Sequence, residues 1–464
     1  MKKSLEIMLL LVVFTLLLNA CSNSEDENNT SKITPNTYVV GSVTKLGSVY
    51  VNGMRYDTSS ASITRDGAAA TANDVLQMPV EVVASTNGSS GIATAVVAET
   101  VVKGVLDSVP SNEVSLQVMG QTIRLDDGAM INTIAGNNVL ADLDTVGMLV
   151  EVAGFVKEDG IIVATRVEEK SALTEYKVTG YISALGAGTF DISGKTIDYS
   201  GADTSDLGGA PAVGMLVEAK ASANGDPLMA SVVEKDGPSV SDAANSEVEG
   251  YIRSIAGTSP DFTFTVDGQS VATNTNTVFE TGSNSFLANG VKVEVEGVLS
   301  SGVLTAAKVS LKDSVRAEGD LINVSGNDFS LNGLTGITFT IDSSTEQNIS
   351  TDAKESFVNG DHVRLRGTPT GTNTVKVSRI DERNADTGVY LRGPAQSKTA
   401  SSVTILGVAV TTTGLASFED QNGSAVFDEA SFLALVSAGT PVKLSGNLVA
   451  GPAVNWDGSG ELED

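Results

Sequence analysis

Residues 146–152 read VGMLVEV and residues 213–219 read VGMLVEA, so nearly the same seven residues occur twice in one chain of 464. A duplicated active site would repeat chemistry, whereas a duplicated piece of scaffold would repeat core and turn residues. Extending the alignment gives six copies: QMPVEVVA from Gln77, GMLVEVAG from Gly147, GMLVEAKA from Gly214, GVKVEVEG from Gly290, GDHVRLRG from Gly360 and GTPVKLSG from Gly439. Their fourth position is always valine (Val80, Val150, Val217, Val293, Val363, Val442) and their sixth is always apolar. The fifth is Glu81, Glu151, Glu218, Glu294, Arg364 or Lys443. Apolar, charged, apolar is the period of a strand with one face buried and the other in water. A catalytic carboxylate would not survive as Arg or Lys in two copies of six. The charged column is therefore expected to be a solvated face.

Two more landmarks recur in every copy. Each unit opens with a strand interrupted by glycine, at Gly41, Gly104, Gly180, Gly250, Gly319 and Gly393, as at a bulge or a barrel corner. An apolar-x-apolar-x-Gly hairpin follows: VYVNG, LQVMG, FDISG, FTVDG, FSLNG and VTILG. Asn-Gly and Asp-Gly at three of these suit a type I′ turn, which needs positive φ at both central residues. Helix-like stretches ending in glycine precede several octads, with Phe286, Phe357 and Phe432 near their ends. A closing strand reads ATRV at Ala164, ASVV at Ala230 and AAKV at Ala306.

Three strands, a short helix and two strands in about 65 residues is the order of an OB-type barrel. The expected fold is all-β with short helices: tandem small OB-like five-stranded β-barrels. The Gly-interrupted first strand, the x-Gly hairpin, G-x-x-V-E-V-x-G and the closing A-x-x-V resemble the bacterial family catalogued as domain of unknown function 5666. That resemblance covers almost all of the chain after its first residues. It implies an OB-like fold in the bacterial envelope and brings no established activity. The boundaries read as repeat 1 at 38–100 (atypical, lacking the octad's first glycine), repeat 2 at 101–170 and repeat 3 at 177–235. A flexible linker at 236–246 (DGPSVSDAANS) follows, then repeat 4 at 247–312, repeat 5 at 315–381 and a second atypical unit, repeat 6, at 388–464. A barrel this small is marginal alone. Neighbour contacts are expected to gather the units into two or three clusters on either side of the linker, with the terminal units as caps.

The first residues set the compartment. Lys2 and Lys3, a twelve-residue apolar run from Ile7 to Leu18 and Ala20 before Cys21 form a secretory signal over 1–20. Small-residue-then-cysteine resembles the lipobox of bacterial lipoproteins, so Cys21 is the expected lipidation site and membrane anchor. Residues 21–37 read as an acidic flexible tether. Ser22 after the cysteine fits the outer-membrane pattern of Gram-negative bacteria. With this single cysteine acylated, no thiol remains for catalysis, a disulfide or thiolate ligation.

The formal charge is −28, with 5% aromatic residues and one tryptophan. Such a chain repels polyanions, and it lacks the basic, aromatic-lined groove with which OB folds bind single strands, so nucleic acid is excluded as a partner. His362, the only histidine, lies in a column that elsewhere holds Pro79, Leu149, Leu216, Lys292 and Pro441, and alternation points it outward. No catalytic, cofactor or metal residues are assigned. Calcium is the metal the composition permits, but DDG at Asp126 and EDQNG at Glu419 lack the alternating acids of an EF-hand loop. Trp456 is expected to pack. The expected protein is a monomeric, non-enzymatic envelope lipoprotein serving as spacer or binding module for an envelope protein or glycan. A carboxylate-dependent glycan hydrolase and a calcium-dependent adhesion module are the alternatives.

Overall fold

Val80, Val150, Val217, Val293, Val363 and Val442 are all buried, and so is every residue of the sixth column. Each octad forms the fourth strand of a small barrel. In this computed structural model, residues 34–463 are described apart from 87–89, 110–114, 158–159, 281–283, 285–286, 350–355, 421–425 and 450–452. The expected signal peptide, most of the expected tether, Cys21 and Phe286 lie outside the described residues.

Repeat 4 shows the barrel most completely. Its first strand, Ala243–Thr258, pairs antiparallel with Asp261–Val266, which pairs with Gln269–Ala272. That third strand runs parallel to the fifth, Val303–Leu311, and the fifth pairs with the fourth, Lys292–Ser300. The fourth pairs back to the first, so the ring closes in OB order. Repeats 2 and 5 close by the same pairings. Repeat 3 does so with a fifth strand split into Leu228–Met229 and Val232–Lys235. Repeat 1 adds a hairpin, Ser62–Arg65 with Ala68–Ala69. In repeat 6 the third strand, Val408–Thr411, pairs only with the second among the described residues, and the clearest α-helix, Glu429–Leu435, buries Phe432. The other helix-like stretches are shorter: 3-10 turns at Ala72–Val75, Leu140–Asp142 and Ser205–Leu207.

The corner glycine has a steric cause. A Cβ on Gly104 would sit 2.0 Å from Met119 Cγ, and one on Gly180 would sit 2.4 Å from Ile192 Cγ2, because the second strand's end packs onto the first. In all six units the pairing slips just beyond this glycine, from Val43/Lys45 to Ala395/Ser397. The amide of each octad's first residue donates to the bulge residue's carbonyl, as Gly147 does to Leu106 and Gly439 does to Ala395 at 2.9 Å. Gln77 fills that place in repeat 1 with φ 60° and makes the same bond to Val43 at 2.8 Å. The missing glycine alters the residue and keeps the geometry. Five hairpins have positive φ at both turn residues, including Met119 and Leu406; Asn332-Gly333 has it only at the glycine, where the strand pairing slips.

The barrels do not assemble on either side of a linker. Repeats 2 and 3 share one sheet through antiparallel pairing of Val102 and Lys103 with Val178 and Lys177. Repeats 5 and 6 share another through Arg316–Glu318 and Tyr390–Arg392. Repeat 1 joins repeat 4 by parallel pairing of Thr37–Val40 with Asn245–Val248. The expected linker is therefore corrected: Ala243–Ser246 begin repeat 4's first strand, Asn245 and Ser246 pair with repeat 1, and Val240 packs on the core of repeat 4. Pro35–Asp464 is one compact unit. Repeat 1 reaches repeat 2 through its hairpin, repeat 4 through its first strand and repeat 5 through Gln77, whose Nε2 donates to Glu346 at 2.9 Å. It is an inner unit and not a cap.

Candidate functional site

The fifth-column residues point out of their own barrels, as alternation requires, but neighbouring elements cover them. Glu218 and Glu294 are buried, and the other four are half-buried. The expectation of a wet face is corrected here. Arg364 Nε donates to Glu318 at 2.7 Å and Lys443 meets Glu461 at 3.0 Å, within their own units. The glutamates face other repeats or buried lysines.

Lys177, with 0% side-chain exposure, lies where repeats 1, 2 and 3 meet. Its Nζ contacts Glu218 at 2.7 Å, Asp66 at 2.9 Å and Glu99 at 3.1 Å. Lys103 adds a contact to Asp66 at 3.2 Å, and the Thr100 amide donates to Asp66 at 3.0 Å. Burial alone would raise the Asp66 carboxyl, but the two lysines and the Thr100 amide hold it well below the usual carboxylate range. Asp66 sits at the tip of repeat 1's extra hairpin. On the same hairpin Arg65 reaches Glu151 at 2.8 Å and also Glu168. Arg166 of repeat 2 donates back to the carbonyls of Leu76 at 2.9 Å and Asp74 at 3.1 Å. Glu168, against which burial works, is kept ionised far below its ordinary range by Arg65 and Arg166.

Asp126 joins repeat 2 to repeat 5. Its Oδ2 accepts from Arg366 at 2.7 Å and its Oδ1 from Arg316. It lies inside the strand Gln121–Asn132, and the calcium-like turn read there is in fact an ion-paired junction. Glu419 and Asp420 lie in Ser417–Asp420, with residues 421–423 of the motif outside the described residues. Among the described residues no group of three or more His, Cys, Asp or Glu is placed to hold a metal ion.

His362 is also corrected. It is buried, with Nδ1 2.9 Å from Asp320 and Nε2 3.3 Å from Glu318, both on the adjacent first strand of its own barrel. Each ring nitrogen thus has a carboxylate as its neighbour. Trp456 packs against the joint core of repeats 5 and 6.

The junction of repeats 1, 3 and 4 differs in sign. Glu81 accepts from the Tyr38 hydroxyl at 2.7 Å and from the Ser239 amide at 3.2 Å. The Arg253 guanidinium lies 3.9 Å from the Tyr181 ring centroid. A Cβ on Gly268 would lie 3.1 Å from the Gly237 Cα, so Asp236-Gly237 and Asp267-Gly268 are closely packed. Burial, with Asp236 and Glu81 nearby, pushes the Asp267 carboxyl up to about 8. Burial and Glu218 raise Asp236 to about 6.

Sequence reasoning missed these junctions because a charged column reads the same whether water or another barrel covers it. One signal was available. Tyr38, Val39 and Val40 are consecutive apolar residues, as in a strand buried on both faces. Tyr38 and Val40 enter repeat 4's core while Val39 and Val43 enter repeat 1's own.

No curated protein matches the chain. A family model does match, three times, at residues 103–168, 179–234 and 249–310, which fall within repeats 2, 3 and 4. Residues 103–310 of this all-β chain thus match, three times in tandem, the family described as Domain of unknown function (DUF5666).

Proposed function

We propose that this chain is a lipid-anchored protein of the bacterial cell envelope, held to the outer membrane through Cys21, that acts as a non-catalytic spacer or binding module for an envelope protein or glycan. The observation that carries the reading is where the charge goes. Two deeply buried ionic groups, Lys177 with its three carboxylates and Asp126 between two arginines, join one barrel to another. An ion pair already committed to holding repeats together is a poor source of a free acid, base or nucleophile. The anchor is supported by the apolar run before Ala20-Cys21 and the acidic tether after it. Three acyl chains hold a protein to a bilayer far more firmly than the one chain that gives only marginal binding.

The test is metabolic labelling with an alkyne fatty acid, followed by membrane fractionation. Label and sedimentation with membranes are expected for the native chain and loss of both for Cys21→Ala; an unlabelled native chain in the soluble fraction contradicts the anchor. Release of reducing ends from envelope glycan, abolished by a single carboxylate substitution, would contradict the non-catalytic reading.

A further inference from the structure

Between repeats 1, 4 and 5 lies a cavity of about 140 Å³. Its lining is unlike the rest of the molecule. Five cationic and five acidic side chains, seven hydroxyls and one amide surround it, with no aromatic or large aliphatic residue. In a chain with 57 acids and 29 bases, this wall is balanced. The cations are engaged: Lys292 with Glu249 at 2.6 Å, Lys312 with Glu294, and Arg366 with Asp126 at 2.7 Å. Two acceptors from repeat 1 are not. Ser42, only 7% exposed, has a buried hydroxyl with no hydrogen-bond partner, and the buried Asn52 Oδ1 has none either. Both line the cavity. A native interior satisfies nearly all such groups, so an unpaired serine hydroxyl at a polar void points to something that fills it.

The wall also selects among ligands. An ion of either sign would have to split a buried pair and leave one charge alone. An apolar molecule would strip solvent from charges without replacing it. A molecule with many hydroxyls and no charge can donate to the carboxylates, accept from the lysines and meet Ser42 and Asn52. The volume is close to the roughly 150 Å³ cavity that takes one six-membered ring. Lys308 and Lys376, each about a third to a half exposed, form an open rim past which ring substituents can extend.

We propose that this cavity binds a small neutral polyol, up to the size of one pyranose ring. The proposal deepens the binding-module reading and rests on it. The test is saturation-transfer NMR on residues 21–464 with glycerol, myo-inositol and N-acetylglucosamine, with glucuronate and inorganic phosphate as charged comparators. Saturable binding of at least one neutral polyol is expected, at least tenfold tighter than either comparator, and weakened at least fivefold by Ser42→Val. Should that variant unfold, hydrogen exchange of the native chain decides: the bound polyol is expected to slow exchange in Lys292–Ser300 and His362–Pro369 and not in repeat 3. No saturable binding at 50 mM, tighter binding of a charged comparator, or protection confined to strands that do not line the cavity overturns the proposal. A chain that captures polymeric envelope glycan but no small polyol loses the cavity and keeps the binding module; one that captures neither glycan nor envelope protein loses both.

Discussion

Repeats 2 and 3 are neighbours in sequence and fuse: Val102, Val178, Val152 and Val217 belong to a single core that runs through both barrels. Repeats 5 and 6 fuse in the same way around Ala317, Leu391 and Leu444. Repeats 1 and 4 are separated by two whole barrels and behave differently. They share one parallel strand pair, in register over four residue pairs, through which Tyr38 and Val40 enter the core of repeat 4 while repeat 1 keeps a core of its own, and a polar cavity and buried carboxyl groups lie along their borders. Adjacent copies can present complementary first strands through a short connection. Elsewhere, copies that are not neighbours in sequence meet through charge, as repeats 1 and 3 do at Lys177 and repeats 2 and 5 do at Asp126. Units of this size are marginal alone, and the two kinds of seam stabilise them by different physics: one by apolar burial, the other by paired ions whose net worth depends on keeping both partners.

Removing one ionic partner should therefore produce the largest effect. Lys177→Met leaves Asp66, Glu99 and Glu218 facing one another around an apolar side chain, and stability should fall by about 3–5 kcal/mol. Denaturant unfolding of residues 21–464 measures it. A loss under about 1 kcal/mol would mean the junction is wet and that the contrast between seams is false.

The barrels were legible because their signals are local. Valine columns, corner glycines and x-Gly hairpins depend on residues within a few positions of one another, and period-two alternation marks the inner face without reference to other units. Lys177 and Asp66 are 111 positions apart, and nothing in either neighbourhood specifies the other. The segment 236–246 has the composition of a flexible loop, yet its last four residues are a strand, because Ala243 and Ser246 pair with Lys292–Ser300 of the same barrel and Asn245 and Ser246 pair with repeat 1. His362 followed the alternation, but the carboxylates of its neighbouring strand cover it. The proposed lipidation of Cys21 and any ligand rest on chemistry that backbone pattern does not encode.

Dependence on pH should separate the junctions next. An unfolded aspartate titrates near 4. Asp236 and Asp267 stay protonated in the fold to about 6 and 8, so the native state holds protons that the unfolded chain has lost. Their contribution is complete below pH 4 and declines as pH rises to 8. Asp66, Asp126 and Glu168 are held below their ordinary values, so theirs is complete above about pH 4 to 5 and is lost as pH falls. Melting temperature should peak between about pH 4 and 6, and Asp236→Asn with Asp267→Asn should flatten only the alkaline side. An unchanged alkaline slope in that double variant would remove these two carboxyls from the seam.

The smallest effect belongs to an exposed pair. Lys376 and Asp342 are 3.1 Å apart and each nearly half exposed. Lys376→Ala should change stability by less than about 1 kcal/mol, and added salt should erase the difference. A loss comparable to that of Lys177→Met would show that burial is not what distinguishes the ionic junctions.

The pairing of repeat 1 with repeat 4 is the central claim, and one cross-link tests it. Thr37 and Asn245 are parallel register partners, within the Cα separation a disulfide spans. In a chain carrying Cys21→Ala, Thr37→Cys with Asn245→Cys should form an intramolecular disulfide nearly completely under mild oxidation and should migrate faster without reductant. Free thiols in the folded double variant, or disulfides only between molecules, would contradict the account.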